Sequence, residues 1–242
     1  MSLSKPPGLE NAAAPETDVD HDVPTAPIFD RLKKITAEML AAARNTIPGG
    51  EPGSSITTNF ISKEIELGTN PRSVEAFAEF QKALGADIKV VYYPACATDI
   101  TPALALPDSR VIFVDINDKA LAAVAKAGYE THTISAFEYI PDQPVDVLIL
   151  RNPSLSPDWF IQYVKSGGYI VCNDWHETAT QLRTNPEVEF IGQMNEDENK
   201  HMFLDTANLD DFFEKVPFDY KGVTLSKYKK GHMDNLFIFR KK

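Results

Sequence analysis

The spacing of apolar residues changes along this chain, and each change predicts a different kind of element. From residue 28 to about 46, Phe29, Leu32, Ile35, Met39, Leu40 and Ala43 recur three or four apart, which predicts an amphipathic helix. Pro48-Gly49-Gly50-Glu51-Pro52-Gly53 stops it and makes a loop. A second helix is predicted over 71–84, where Pro71 suits a first turn and Val74, Phe77, Ala78 and Leu84 share a face. From Ile88 onward, short and nearly continuous apolar runs alternate with helical stretches. Runs at 88–93, 111–114, 131–134, 145–150 and 169–172 predict strands, with 103–106, 119–127 and 157–165 as the crossovers between most of them. Two more strands are predicted at 188–193 and 236–239, separated by a helix over 209–215 and a polar loop rich in Lys and Tyr.

Apolar strands joined by helices argue for a parallel sheet covered on both faces. The expected fold class is therefore α/β: a doubly wound, mostly parallel seven-stranded sheet with an N-terminal helical extension. The last two strands are expected to form an antiparallel edge. Residues 1–26 hold four prolines, several acids and few large apolar groups, a composition expected to give a disordered tail. The domain organisation expected is that tail, a helical extension over 27–85 packed on the core, and an α/β domain over 86–242.

Composition narrows the functional classes. With 43% hydrophobic residues the chain can bury a sizeable core. No apolar run approaches the roughly 20 residues that span a bilayer, and the N-terminus lacks the basic-then-apolar order of a signal peptide, so no membrane partner is expected. Cys96 and Cys172 give no disulfide framework, and the expected compartment is the cytoplasm. The net charge of −11 disfavours a nucleic-acid partner, because phosphate neutralisation needs a basic patch. The one basic cluster, Lys221, Lys227, Lys229, Lys230 and Arg240-Lys241-Lys242, reads as a solvated rim. A small molecule or a protein is the expected substrate. The chain has no Gly-x-Ser-x-Gly elbow, no phosphate loop and no paired cysteines at zinc spacing. His21, His132, His201 and His232 show no ligand spacing either.

Four landmarks then fall in order. Val90-Val91-Tyr92-Tyr93-Pro94 leads into Ala95-Cys96-Ala97-Thr98-Asp99; about twenty residues later comes Val111-Ile112-Phe113-Val114-Asp115. Val145-Asp146-Val147-Leu148-Ile149-Leu150 follows, and then Val164-Lys165-Ser166-Gly167-Gly168-Tyr169. Over about residues 75–240 this series resembles the class I S-adenosylmethionine-dependent methyltransferases. The resemblance implies S-adenosylmethionine as cofactor. It sets Ala95, Ala97 and Asp99 where the family has three glycines, and Tyr93 where it has an acid.

The resemblance implies a cofactor site of Pro94, Ala95, Ala97, Asp99, Asp115, Ile116, Ala136 and Phe137. Asp115 would accept hydrogen bonds from the ribose hydroxyls, or it caps the helix that begins near Asn117. Ile116 and Phe137 would cover the faces of the adenine, although Phe137 also suits a core. Asp99 either stands in for the missing acid or caps the helix near Pro102, a role for which Thr101 competes. Alanine resists the left-handed backbone that glycine adopts freely, so this loop either takes another path or carries strain.

On the substrate side, Arg151-Asn152-Pro153-Ser154 is similar to the Asn-Pro-Pro-aromatic loop of amino-group methyltransferases, with Ser154 and Leu155 departing from it. Asn152 and His176 are the catalytic candidates, the histidine as a base for a hydroxyl or amine. Arg151, Asn152 and Trp175 are the substrate-binding candidates, Arg151 either holding an anion or pairing with an acid. A metal site is not expected, because Arg151 puts a cation at the end of the fourth strand. Two functions remain: a divergent methyltransferase, or a methyltransferase-like scaffold that has lost its cofactor and works by binding.

Overall fold

The computed structural model describes residues 67–151, 153–220, 223–228 and 235–242, and for 214–220 and 223–228 the backbone alone. The expected tail over 1–26, the helix over 28–46, Asn152, His21, His232, Lys221, Lys229 and Lys230 lie outside the described residues.

The first described helix, α1 (Pro71–Leu84), begins where the Asn70 side chain accepts the N–H of Ser73 and ends at Gly85, whose φ of 57° is left-handed. Next come β1 (Val90–Pro94), α2 (Thr101–Ala105), β2 (Arg110–Asp115), α3 (Asp118–Lys126) and β3 (Glu130–Thr133). They are followed by β4 (Val145–Leu150), β5 (Val164–Cys172), α4 (Thr178–Arg183), β6 (Val188–Glu196) and β7 (Met202–Asp205). A hairpin of β8 (Phe213–Tyr220) and β9 (Val223–Tyr228) precedes β10 (Phe237–Lys241).

The main sheet has the order β3-β2-β1-β4-β5-β10-β6-β7. Strands β1 to β5 pair in parallel, while β10 runs antiparallel to both β5 and β6, and β7 is antiparallel to β6. Successive strand residues point to opposite faces, and both faces are covered. On one, Val91, Tyr93, Phe113, Val147 and Ile149 pack with Val74, Phe77 and Phe80 of α1 and with Leu121 and Val124 of α3. On the other, Tyr92, Ile112, Leu148, Leu150 and Phe239 pack with Phe160, Ile161, and Ala179 and Leu182 of α4. Phe77 and Phe80 are fully buried, so truncating either to alanine is expected to cost about 3–5 kcal/mol.

Several elements differ from the sequence expectation, each for a physical reason. The sheet has eight strands, not seven, and its last strand is not an edge. Phe237, Ile238 and Phe239 are fully buried, which suits a strand enclosed on both sides, and β10 inserts between β5 and β6. The edge is β7, which is only part-buried. The helix expected over 209–215 is one 3₁₀ turn, Leu209–Phe212, leading into β8. There Phe213 is drawn into an aromatic cluster with Phe190 and Phe237. The crossover expected over 157–165 is two 3₁₀ turns, Pro157–Trp159 and Ile161–Tyr163. Its aromatic and β-branched residues are poor helix formers.

The glycine pair does mark the entry to β5. Residues 165–168 bulge out of register between Val145↔Val164 and Val147↔Tyr169. Gly167 has φ 77°, and a Cβ on Gly168 would come within 2.9 Å of the Asp146 carbonyl.

Candidate functional site

The chain runs outward from β1 to β2 and β3, then returns to place β4 on the other side of β1. In open parallel sheets the crevice at the carboxyl ends of two such strands is where ligands bind. Here that crevice lies between the ends of β1 and β4, where Asp99 meets Arg151, and beside it Ala97 meets Asp115 at the end of β2.

The loop after β1 takes a left-handed path without glycines. Ala95 has φ 54° and Ala97 φ 48°, both left-handed. An L-residue with a Cβ pays roughly 1–2 kcal/mol for that conformation. Of the two outcomes open to this loop, the structure takes strain. Two hydrogen bonds hold it: Ala95 N–H donates to the Val114 carbonyl at 2.8 Å, and Ala97 N–H to Asp115 Oδ2 at 2.8 Å. Between them, the Cys96 side chain is buried, and burial pushes its thiol up to about 12, with Asp115 adding to the effect.

Asp115 Oδ1 accepts the N–H of Asn117 at 2.9 Å. The cap of α3 is Asn117, whose Oδ1 accepts Ala120 N–H, so Asp115 has no capping role there. Each oxygen of Asp115 accepts one N–H, and a carboxylate has about four acceptor sites. The side chain stays part-exposed at the cleft. The next residue, Ile116, is 77% exposed, and Phe137, in the connection after β3, is 51% exposed. Pro94 and Ala136 are buried. The edge of Phe137 meets Trp159, with ring centroids 5.6 Å apart. Trp159 is a residue that sequence reasoning passed over inside an expected helix.

The other end of the crevice is wired differently. Asp99 Oδ2 accepts the Tyr93 hydroxyl at 2.8 Å and Arg151 Nη1 at 2.7 Å. Its Oδ1 accepts the Thr101 N–H at 3.0 Å and the Thr101 hydroxyl. Thus Asp99 holds Thr101, the first residue of α2, whose N-cap position is Ile100, and also forms an ion pair that bridges the ends of β1 and β4. Both partners are mostly buried. Burial, with the Asp99 carboxylate adding to it, holds the Tyr93 hydroxyl well above its ordinary pKa, so it stays a donor. The segment before α1 closes over the same loop: Gly68 N–H donates to the Thr98 carbonyl, and Ile100 N–H to the Gly68 carbonyl. A Cβ on Gly68 would press on Thr98 Oγ1 at 3.1 Å.

Beyond β5, His176 is exposed, with Nε2 3.4 Å from Ser154 Oγ. Trp175 is 48% exposed next to it. Asp174 is buried and accepts both the N–H and the hydroxyl of Thr180 at 2.9 Å, which anchors α4. Burial pushes the Asp174 carboxyl up, Glu177 adds to this, and the Thr180 hydrogen bonds pull the other way. No group of three or more His, Cys, Asp or Glu side chains among the described residues is placed to hold a metal. No helix among them is long and apolar enough to cross a membrane.

No protein-family model matches the chain, and no curated protein matches it. Solved structures do. The N-methyltransferase NodS of Bradyrhizobium japonicum WM9 aligns over 71% of this chain and 97% of its own, at 10% identity and a TM-score of 0.44. PH1948 of Pyrococcus horikoshii, a candidate RNA methyltransferase, aligns over 86% of this chain and 98% of its own, at 13% identity and 0.46. A SAM-dependent O-methyltransferase of Thermotoga maritima aligns over 68% of this chain and 64% of its own, at 16% identity and 0.40. The chain itself is a mixed α/β sheet in which β10 lies antiparallel between β5 and β6.

Proposed function

We propose that the chain is a divergent S-adenosylmethionine-dependent methyltransferase acting on a small molecule or protein. One observation carries this reading: the loop after β1 keeps two alanines in the left-handed region and ties the second of them to Asp115. Backbone strain of this kind persists where the surrounding structure enforces it, and it clusters at functional sites. A scaffold with no ligand would gain stability by relaxing it.

The cofactor supplies a methyl group on a sulfonium centre. Asp115 would take the ribose hydroxyls with its remaining acceptor sites, and Ile116 and Phe137 would offer apolar faces to the adenine. The methionyl group is a zwitterion; the Arg151 guanidinium would meet its carboxylate, while Asp99 already accepts from Tyr93, Thr101 and Arg151. Methyl transfer depends mainly on position, so no strong catalytic acid is required. His176, steadied by Ser154, is the candidate to hold the proton of a hydroxyl or amine acceptor, and Trp175 is the candidate wall beside it.

The scaffold reading has its own support in the Asp99–Arg151 pair, which satisfies both charges without a ligand. Calorimetric titration with S-adenosylhomocysteine separates the two. Micromolar binding supports the enzyme; a folded chain that binds nothing up to millimolar ligand overturns it and leaves the scaffold.

A further inference from the structure

The tail of an adenosyl thioether derived from methionine carries two opposite charges, an ammonium and a carboxylate. A site that reads both needs an acceptor for the first and a cation for the second. Where β1 meets β4 the carboxylate is Asp99, and its accepting capacity is already used. Its Oδ2 accepts the Tyr93 hydroxyl at 2.8 Å and Arg151 Nη1 at 2.7 Å. Its Oδ1 accepts the Thr101 N–H at 3.0 Å and the Thr101 hydroxyl. Those donors fill a group that has about four acceptor sites.

The donors from Tyr93 and Thr101 are fixed by the fold. Tyr93 is buried, and burial, with Asp99 adding to it, holds its hydroxyl well above the ordinary pKa, so it keeps its proton and goes on donating. Thr101 is buried as well, and the N–H of Asn70 donates to its hydroxyl oxygen at 3.2 Å, which leaves the hydroxyl proton for Asp99. Two carbonyls of the loop are also engaged: Cys96 takes the Asp99 N–H at 3.0 Å and Thr98 takes the Gly68 N–H at 2.8 Å. An ammonium brought to this end would meet the Arg151 guanidinium as a like charge, with no open carboxylate from Asp99 to offset it. A carboxylate would meet a group of five N–H donors whose fork matches it.

We propose that this end of the crevice reads the carboxylate of the tail and not the ammonium, so that adenosyl thioethers with a purely anionic tail bind as well as those with an amino-acid tail. The proposal rests on the cofactor reading above and changes its ligand class. Arg151 determines the specificity, while Tyr93 and Thr101 close Asp99 to the ligand. The Asp115 end is indifferent to the tail and would hold the nucleoside in every ligand of the class.

The test is calorimetric titration of the full chain with S-adenosylhomocysteine and two analogues of it. The deaminated analogue keeps the carboxylate, and the decarboxylated analogue keeps the amine. The first is expected to bind within about threefold of the parent and the second about tenfold or more weaker, the factor that a lost charged hydrogen bond gives. Arg151→Met should erase that gap by weakening the parent and the deaminated analogue while leaving the decarboxylated one nearly unchanged. The wild-type series decides the matter if this variant fails to fold. A deaminated analogue that loses tenfold or more while the parent still binds would overturn the proposal and leave the cofactor reading standing. So would a decarboxylated analogue that binds as well as the parent. A folded chain that binds none of the three would overturn both.

Discussion

The two ends of the crevice are wired in opposite ways. At the Asp115 end, the residues are those the methyltransferase resemblance calls for, and their surfaces are open: a carboxylate with spare acceptor sites, and exposed Ile116 and Phe137. At the Asp99 end, alanines stand at 95 and 97, and Tyr93 stands one residue before the end of β1. The carboxylate there comes from the far side of the loop, held by Tyr93 and Arg151. The loop between these ends keeps its left-handed turns although alanine makes them costly. The difference shows that tertiary hydrogen bonds can hold residues with a Cβ in a left-handed turn, while an ion pair closes the other end.

The sharpest way to break this comparison is a pair of ligands. S-adenosylhomocysteine spans both ends, whereas methylthioadenosine lacks the amino-acid group. Arg151→Met is expected to weaken the first about tenfold or more and leave the second nearly unchanged in calorimetry, since a charge-assisted hydrogen bond contributes roughly 1.5–3 kcal/mol. Equal losses for both ligands would place Arg151 outside any methionyl role. In the absence of ligand, the same variant leaves Asp99 without its cation. Because the pair keeps some exposure, the expected cost is about 1–3 kcal/mol in denaturant unfolding. Tyr93→Phe removes one donor from Asp99 and should cost about 0.5–1.5 kcal/mol.

Relieving the loop strain is a smaller effect of opposite sign. Ala95→Gly and Ala97→Gly each remove a Cβ from a left-handed residue and also loosen the unfolded chain. The net expectation is a gain of up to about 1 kcal/mol apiece in thermal melts. A clear loss in both would mean that the loop is not strained in solution.

The smallest effect is expected at Asp174, next to the crevice. Its carboxyl is raised in the folded protein, so the folded state holds that proton more tightly than the unfolded chain does. Its contribution to stability is full below the ordinary value of 3.8 and is lost as pH rises through the shifted one. Asp174→Asn should therefore unfold with a flatter pH dependence above pH 4, and an unchanged profile would count against the burial effect.

The contrast between the two ends also marks how far the sequence could be read. The runs that became β1, β2 and β4 were legible because they are apolar on both alternating faces, which only an enclosed parallel strand needs. Asp115, at the end of one such run, was legible for the same reason. The place of β10 was not, since insertion between β5 and β6 is a pairing of distant segments that no local pattern encodes. The Asp99–Arg151 pair joins residues 52 positions apart, and nothing near either names its partner. The alanine loop was legible as a conflict between residue type and backbone; only hydrogen bonds to Val114 and Asp115 decide which side yields. Trp159 was hidden by its helical spacing with Phe160 and Tyr163, which the structure resolves into 3₁₀ turns.

The measurement that bears most directly on the account is calorimetric titration of the full chain with S-adenosylhomocysteine, beside an Asp115→Ala variant whose fold is confirmed by circular dichroism. The account predicts micromolar binding that the variant loses by a factor of about ten to a hundred. A folded wild-type chain with no heat of binding up to millimolar ligand, or a variant that binds as well as wild type, would contradict it.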